Sequence, residues 1–204
     1  MAGTSTQNVA VGKPNLKVSG GVMFAPLGTT RPTSLEAAID AAYASLGYVS
    51  DDGVTETSER STEDIRAWGG DKVRTVQTEF GTTLQFTLIE SLRAETLKFV
   101  YGADNVSTEG GVITVKRNSQ TLPHGQLLIP MLDGTNSRHL DAGLAQVTEV
   151  GDISYVDGEA IAYEVTVSCD PDDDGNTLIE RIAVAPADGG GETGGGDEGG
   201  ATGE

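Results

Sequence analysis

Side chains able to do chemistry are few in this 204-residue chain, in which two His, one Cys and one Trp stand among 31 Asp and Glu and 13 Lys and Arg. A Ser/His/Asp hydrolase would need His124 or His139, and His139 does lie two residues before Asp141. Closeness in sequence does not orient a dyad, however, and the chain has no G-x-S-x-G turn to carry a nucleophile. Both histidines therefore read as exposed or structurally bonded. Without Cys partners they also make a poor transition-metal donor set. Cys169 is the lone cysteine, which excludes an intramolecular disulfide, a Cys-based zinc finger and a CxxC redox pair. The string Asp170-Pro171-Asp172-Asp173-Asp174-Gly175-Asn176 places carboxylates at positions 1, 3 and 5 and Gly at 6, as a calcium loop would. Position 12 is Arg181, where such a loop needs a bidentate Glu, so the string reads as a polar hairpin turn. No phosphate-binding G-x-x-x-x-G-K-[ST] occurs, and Lys116-Arg117 is a short basic pair on an acidic chain. No catalytic, cofactor or metal residue is assigned.

A net charge of −18 argues against a protein that grips nucleic acid by neutralising phosphates. The length fits one domain with a core, or a domain plus a tail. Residues 187–204 hold nine Gly and five acids with no aromatic or branched aliphatic side chain, too little apolar area to offset ordering entropy. We expect a flexible acidic tail there and a folded domain over residues 1–186, which keeps −13 of the charge. The N-terminus shows no secretory h-region, and the longest apolar run, Leu127 to Leu132, is far short of the ~20 residues that span a bilayer. The reading is a soluble, intracellular product.

The elements that must position these residues are mostly strands. Glu159 to Cys169 alternates, with Ile161, Tyr163, Val165, Val167 and Cys169 on one face, and Thr83 to Ile89 does likewise through Leu84, Phe86 and Leu88. Further strands are expected at Val18–Ala25, Val112–Arg117, Leu127–Leu132, Leu144–Val150 and Leu178–Val184, with turns at Glu109-Gly110-Gly111 and Asp157-Gly158. Pro130 makes its run an edge or bulged strand. Two helices are expected. The first follows a Thr33/Glu36 capping box, runs through Leu35, Ala38, Ile39, Ala42 and Leu46, and is capped by Gly47. The second begins after Ser91, aligns Leu92, Thr96 and Phe99, and stops at Gly102.

Two segments break the pattern. Val73 to Phe80 mixes polar and apolar residues on both faces, which suits a sheet whose second face meets water or another subunit. Ser50 to Asp71 is polar, holds seven acids and reads as a long loop ending at Trp68-Gly69-Gly70. That Trp either tucks into its own domain or docks on a neighbour.

Read from the residues alone, this is an acidic, mainly β domain with some α: an antiparallel β-sandwich or barrel with one or two flanking helices. Several segments taken in order add a resemblance to the major tail tube proteins of long, non-contractile-tailed (siphovirus-type) bacteriophages, particularly those of actinobacterial hosts. They are Gly47-Tyr48-Val49-Ser50-Asp51-Asp52-Gly53-Val54, Ile65-Arg66-Ala67-Trp68-Gly69-Gly70-Asp71, Val73-Arg74-Thr75-Val76-Gln77-Thr78-Glu79 and Phe86-Thr87-Leu88-Ile89-Glu90-Ser91. Val100-Tyr101-Gly102 and Gly158-Glu159-Ala160-Ile161-Ala162-Tyr163-Glu164-Val165-Thr166 continue the likeness, which spans about Val11 to Val184.

The resemblance implies a virion protein without catalysis that forms hexameric rings. Their strands join into one β-barrel around a lumen through which the genome leaves, the rings stacking through contacts that do not close. It implies assembly in the host cytoplasm, with tape-measure, tail terminator and tail-tip proteins as partners and DNA only in transit. An acidic lumen would keep the duplex mobile. The arm 1–17, with Pro14 and Leu16, and the loop of about residues 50–71, with Trp68, Gly69, Gly70 and Asp71, become candidates for subunit contacts. Gln77 and Glu79 become candidates for the lumen by strand position. The competing reading is a monomeric β-sandwich that binds carbohydrate, with Trp68 as a stacking platform, or calcium at the Asp170 turn.

Overall fold

In the computed structural model, which describes Thr4 and residues 8–183, alternating sequences become strands that pair throughout in antiparallel fashion. In chain order they are β1 (Gly21–Pro26), β2 (Ala44–Arg66), β3 (Lys72–Leu88), helix α1 (Ala94–Tyr101), β4 (Val106–Glu109), β5 (Val112–Val115), β6 (Gly125–Asp133), β7 (Asn136–Val150), β8 (Tyr163–Cys169) and β9 (Ile179–Ala183). Neighbours run β6-β1-β2-β3-β8-β7-β9, and β6 also pairs with β7, so six strands close into a ring of pairings with β9 alongside. The expected tail at residues 187–204 lies outside the described residues, as does Val184.

The period-two reading holds at the centre of the sheet. Leu84, Phe86 and Leu88 of β3 stand opposite Val167, Val165 and Tyr163 of β8, and all six are buried. Phe99 of α1 seals this layer against Phe24, with ring centroids 4.8 Å apart in an edge-to-face pair. Each of these large apolar side chains stabilises the fold by about 1.5–3 kcal/mol when fully buried. Pro130 sits beyond the stretch of β6 that pairs with β1, where a ladder N–H is not required. The chain's own N-terminal segment joins β6 there: the Asn15 amide donates to the Pro130 carbonyl at 2.9 Å, and the Leu132 amide donates to Lys13.

Of the two expected helices only the second forms. It starts at Ala94, buries Thr96 and Phe99 and ends at Gly102, but Leu92 precedes it and is exposed. No helix forms between Thr33 and Leu46. The stretch bends instead, because its polar side chains satisfy the backbone locally: Ser34 Oγ accepts from the Ala37 amide and Asp40 Oδ1 from the Ala42 amide. Ala44, Ser45 and Tyr48 are then claimed by pairing with β1. A twelve-residue amphipathic pattern is too short to resist such tertiary competition.

Gly47 therefore caps nothing. It lies inside β2 at φ +84°, where a Cβ would stand 2.5 Å from the Glu90 carboxyl carbon. The closeness lets Glu90 Oε1 accept the Tyr48 amide at 2.9 Å. The expected loop at residues 50–71 is the second correction: apart from a bulge at residues 50–53 it is strand through Arg66, paired with β3 along its length. A polar segment reads as loop when no buried face shows, yet here the strand is defined by its ladder and by residues that tolerate water on both sides.

Candidate assembly surface

Most of the residues singled out for chemistry make structural bonds, while His139 and Cys169 are buried. His124 Nε2 lies 2.9 Å from Asp170 Oδ2, and this bond, together with one from Ser168, holds the Asp170 carboxyl below the usual carboxylate range. Asp172, third in the calcium-like string, accepts the Asn176 and Asp174 amides on Oδ1 and the Arg31 guanidinium on Oδ2. The string is thus a tight turn whose first and third carboxylates are engaged. His139 and Asp141 are adjacent on β7 but do not bond each other; Asp141, fully buried, faces Arg31 and Arg181 at 3.0 and 2.9 Å. Burial, and then the Arg181 charge, lower the pKa of His139 and keep it neutral. Desolvation pushes the Cys169 thiol up to about 12, which leaves it inert as a nucleophile. The Arg31–Asp141–Arg181 cluster escaped sequence reading because its members lie up to 150 positions apart with no spacing rule between them. Among the described residues no group of three His, Cys, Asp or Glu side chains is arranged to hold a metal, and no helix is long and apolar enough to cross a membrane.

What remains exposed is an arm. Pairing of β3 with β8 ends at Thr82, and beyond it β2 and β3 continue as a bare two-stranded hairpin from Glu59 and Gly81 to Arg66 and Lys72. At ~3.3 Å per residue it projects roughly 25 Å. Both of its faces are open to solvent apart from the partly covered Val76. Local bonds tie its two strands together: Thr75 donates to Asp64 at 2.8 Å, Lys72 pairs with Asp64 at 2.8 Å, and Arg60 donates to Gln77 while lying over the Phe80 ring. The Lys72 and Thr75 bonds hold Asp64 below its ordinary pKa.

Residues directly opposite across the ladder share a face, so the register sorts the arm's charges. Arg60, Asp64, Arg66 and Lys72 fall on the side that continues the core face, with Phe80 and Gln77. Glu59, Ser61, Glu63 and Glu79 fall on the other side, with Arg74 as its one base. Gln77 and Glu79, two apart and expected to face one way, lie on opposite faces. The cause is a bulge: Ser61 pairs with Glu79 but Thr62 with Gln77, which shifts the alternation by one.

At the tip, the Ala67 amide donates to Asp71 and the Gly70 amide to Ala67, with Gly69 and Gly70 at φ +114° and +97°. Trp68 is fully exposed, so it does not tuck into its own domain. Pro14 is bridged to Met131 of the same chain, while Leu16 stays exposed.

The described fold is thus a ring of antiparallel strands that carries a bare two-stranded arm with Trp68 in solvent at its tip. A family model described as "Phage tail tube protein" matches residues 17–187, and the chain belongs to that family. It is a structural protein of the phage tail. No curated protein matches it by sequence. Among solved structures it is similar to the tube-terminating cap of the anti-feeding prophage, with 8% identity, a TM-score of 0.45 and coverage of 89% of this chain and 97% of that one. It is also similar to a chain of the sheath-tube complex of an extracellular contractile injection system, PVC, with 12% identity, a TM-score of 0.44 and coverage of 89% and 100%.

Proposed function

We propose that the chain is the major tail tube subunit of a long, non-contractile phage tail, assembling in the host cytoplasm into stacked rings, six copies to a ring, that enclose a channel for the genome. The observation that carries this reading is the bare β2–β3 arm. A two-stranded hairpin with both faces in water is marginally stable alone, and its outer strand edges are open to pairing. Neighbouring copies that continue the sheet around a ring satisfy both deficits, and closure leaves no edge.

The face bearing Glu59, Glu63 and Glu79 then lines the channel, where like charge keeps DNA hydrated and moving. Glu79 belongs to that lining and Gln77 to the opposite, subunit-facing side. Pro14, Leu16, Trp68, Gly69, Gly70 and Asp71 belong to contacts between copies. The tape-measure protein occupies the channel before DNA does, and tail terminator and tail-tip proteins close the ends. The domain is residues 1–186, with residues 187–204 as an acidic tail.

Electron microscopy of the purified protein over a concentration series, with and without residues 187–204, tests the reading. Hollow tubes or stacked rings are expected. A protein that stays monomeric at every concentration, even on addition of its own tail tip as an initiator, overturns it.

A further inference from the structure

We infer that the arm's tip is the plug of a plug-and-socket contact between two copies of this chain, in which Trp68 of one copy enters the cleft beside α1 of the next. The inference rests on the proposed tube and adds to it the two surfaces that meet. The cleft, about 490 Å³, opens between α1, the end of β1 and the segment at residues 120–124. That volume lies in the range that holds a ring system. Its walls include Phe24, Leu46, Phe99, Leu122 and Val147, and the edge-to-face Phe24–Phe99 pair offers an aromatic seat for an indole.

The chain's own Trp68 is in solvent, and no described side chain fills the cleft. A fully exposed Trp on a short glycine turn is a costly surface feature unless something covers it, and aromatic anchors of this kind dominate protein interfaces.

Charge does not select the occupant: around the tip Arg66 and Lys72 share Asp64, with Asp71 and Arg74 beside them, and at the mouth of the cleft Glu95 is bonded to Lys98 while Asp104 has no ion pair among the described residues. Shape and apolar surface do: the cleft fits an aromatic ring carried on a projecting tip, which the arm of a second copy supplies, and the ring provides the anchor.

Because Trp68 is the sole Trp, its fluorescence reports the contact directly. On assembly of the full chain, the emission is expected to move from that of a water-exposed indole to that of a buried one. Trp68→Ala is expected to raise the concentration needed for tubes by at least about tenfold while leaving the monomer's thermal transition unchanged. Cross-linking identifies the socket: separately tagged Trp68→Cys and Ala103→Cys chains, mixed, assembled and oxidised, are expected to give mixed dimers at least about tenfold above a control pairing Trp68→Cys with Val112→Cys. Val112 is exposed on the β4–β5 hairpin, and the native Cys169 is buried and does not compete.

Tubes that form with Trp68 still emitting as an exposed indole, or cross-links no stronger than the control, overturn the socket while leaving the tube reading intact. A wild-type chain that forms no polymer overturns both.

Discussion

Replacing Asp141 by Asn tests whether the buried ion cluster ties the fold together. The Asp141 side chain has no solvent exposure and accepts Arg31 Nε at 3.0 and 3.2 Å and Arg181 Nη1 at 2.9 Å. Arg31 reaches on to Asp172 at 3.0 Å. Through these bonds one carboxylate joins β7, β9, the bend before β2 and the turn after β8. A carboxamide of the same size neutralises neither guanidinium: Arg31 keeps Asp172, but Arg181 keeps no ion pair among the described residues. Removing one partner from a buried pair costs about 3–5 kcal/mol, because the remaining charge stays out of water. For a chain of this length each kcal/mol moves Tm by about 2–4 °C, so Asp141→Asn is expected to lower it by roughly 6–20 °C.

The control lies on the same two strands. Arg138 and Glu180 pair at 2.8 Å, but with side chains 39% and 40% exposed. An exposed pair contributes about 0–1 kcal/mol, so Glu180→Gln is expected to move Tm by no more than about 4 °C. Differential scanning fluorimetry and urea titration of the unassembled protein decide it. An Asp141→Asn variant within about 1 kcal/mol of wild type, or a control equal to it, refutes the reasoning.

Further outcomes follow from other contacts. Gly47→Ala forces a Cβ against Glu90 at φ +84° and is expected to cost about 1–3 kcal/mol by urea titration; an unchanged midpoint would contradict the close approach. His139 has a folded pKa below its unfolded value of about 6.5, so the unfolded state binds the proton more readily. Its contribution is full above that value and is lost as pH falls through and below it. Tm is expected to drop between pH 7.5 and 5.5, and His139→Gln to flatten that slope; Asp170, Asp172 and Glu90, whose pKa values are lowered, act only near and below pH ~4. Cys169, buried and with its thiol pushed up to about 12, is expected to resist a thiol-specific reagent in native buffer and to give one equivalent in urea. Rapid native labelling would show the β7–β8 region to be open.

The sequence by itself determined the parts in which one short segment carries its own signal. Leu84, Phe86 and Leu88 and the alternation through Val165 and Val167 marked the central strands because a half-buried strand writes a period of two. Gly102 marked the end of α1. Acidic balance and the scarcity of His and Cys bounded the chemistry, and ordered segments around Trp68 and Tyr163 carried the resemblance to tail tube proteins. Only the tertiary structure decided the rest. It turned the helical pattern at residues 33–46 into a bend and a strand, because pairing with β1 outweighs a short amphipathic propensity. It turned the supposed loop at residues 50–71 into half of a projecting hairpin, whose face pattern is silent because neither side is buried within one chain. It parted Gln77 from Glu79 by one bulge, and it gathered Arg31, Asp141, Asp172 and Arg181 from four segments into one cluster. Local periodicity records which face a segment buries; register, bulges and long-range charge pairs belong to partners distant in sequence, and only folding brings these together.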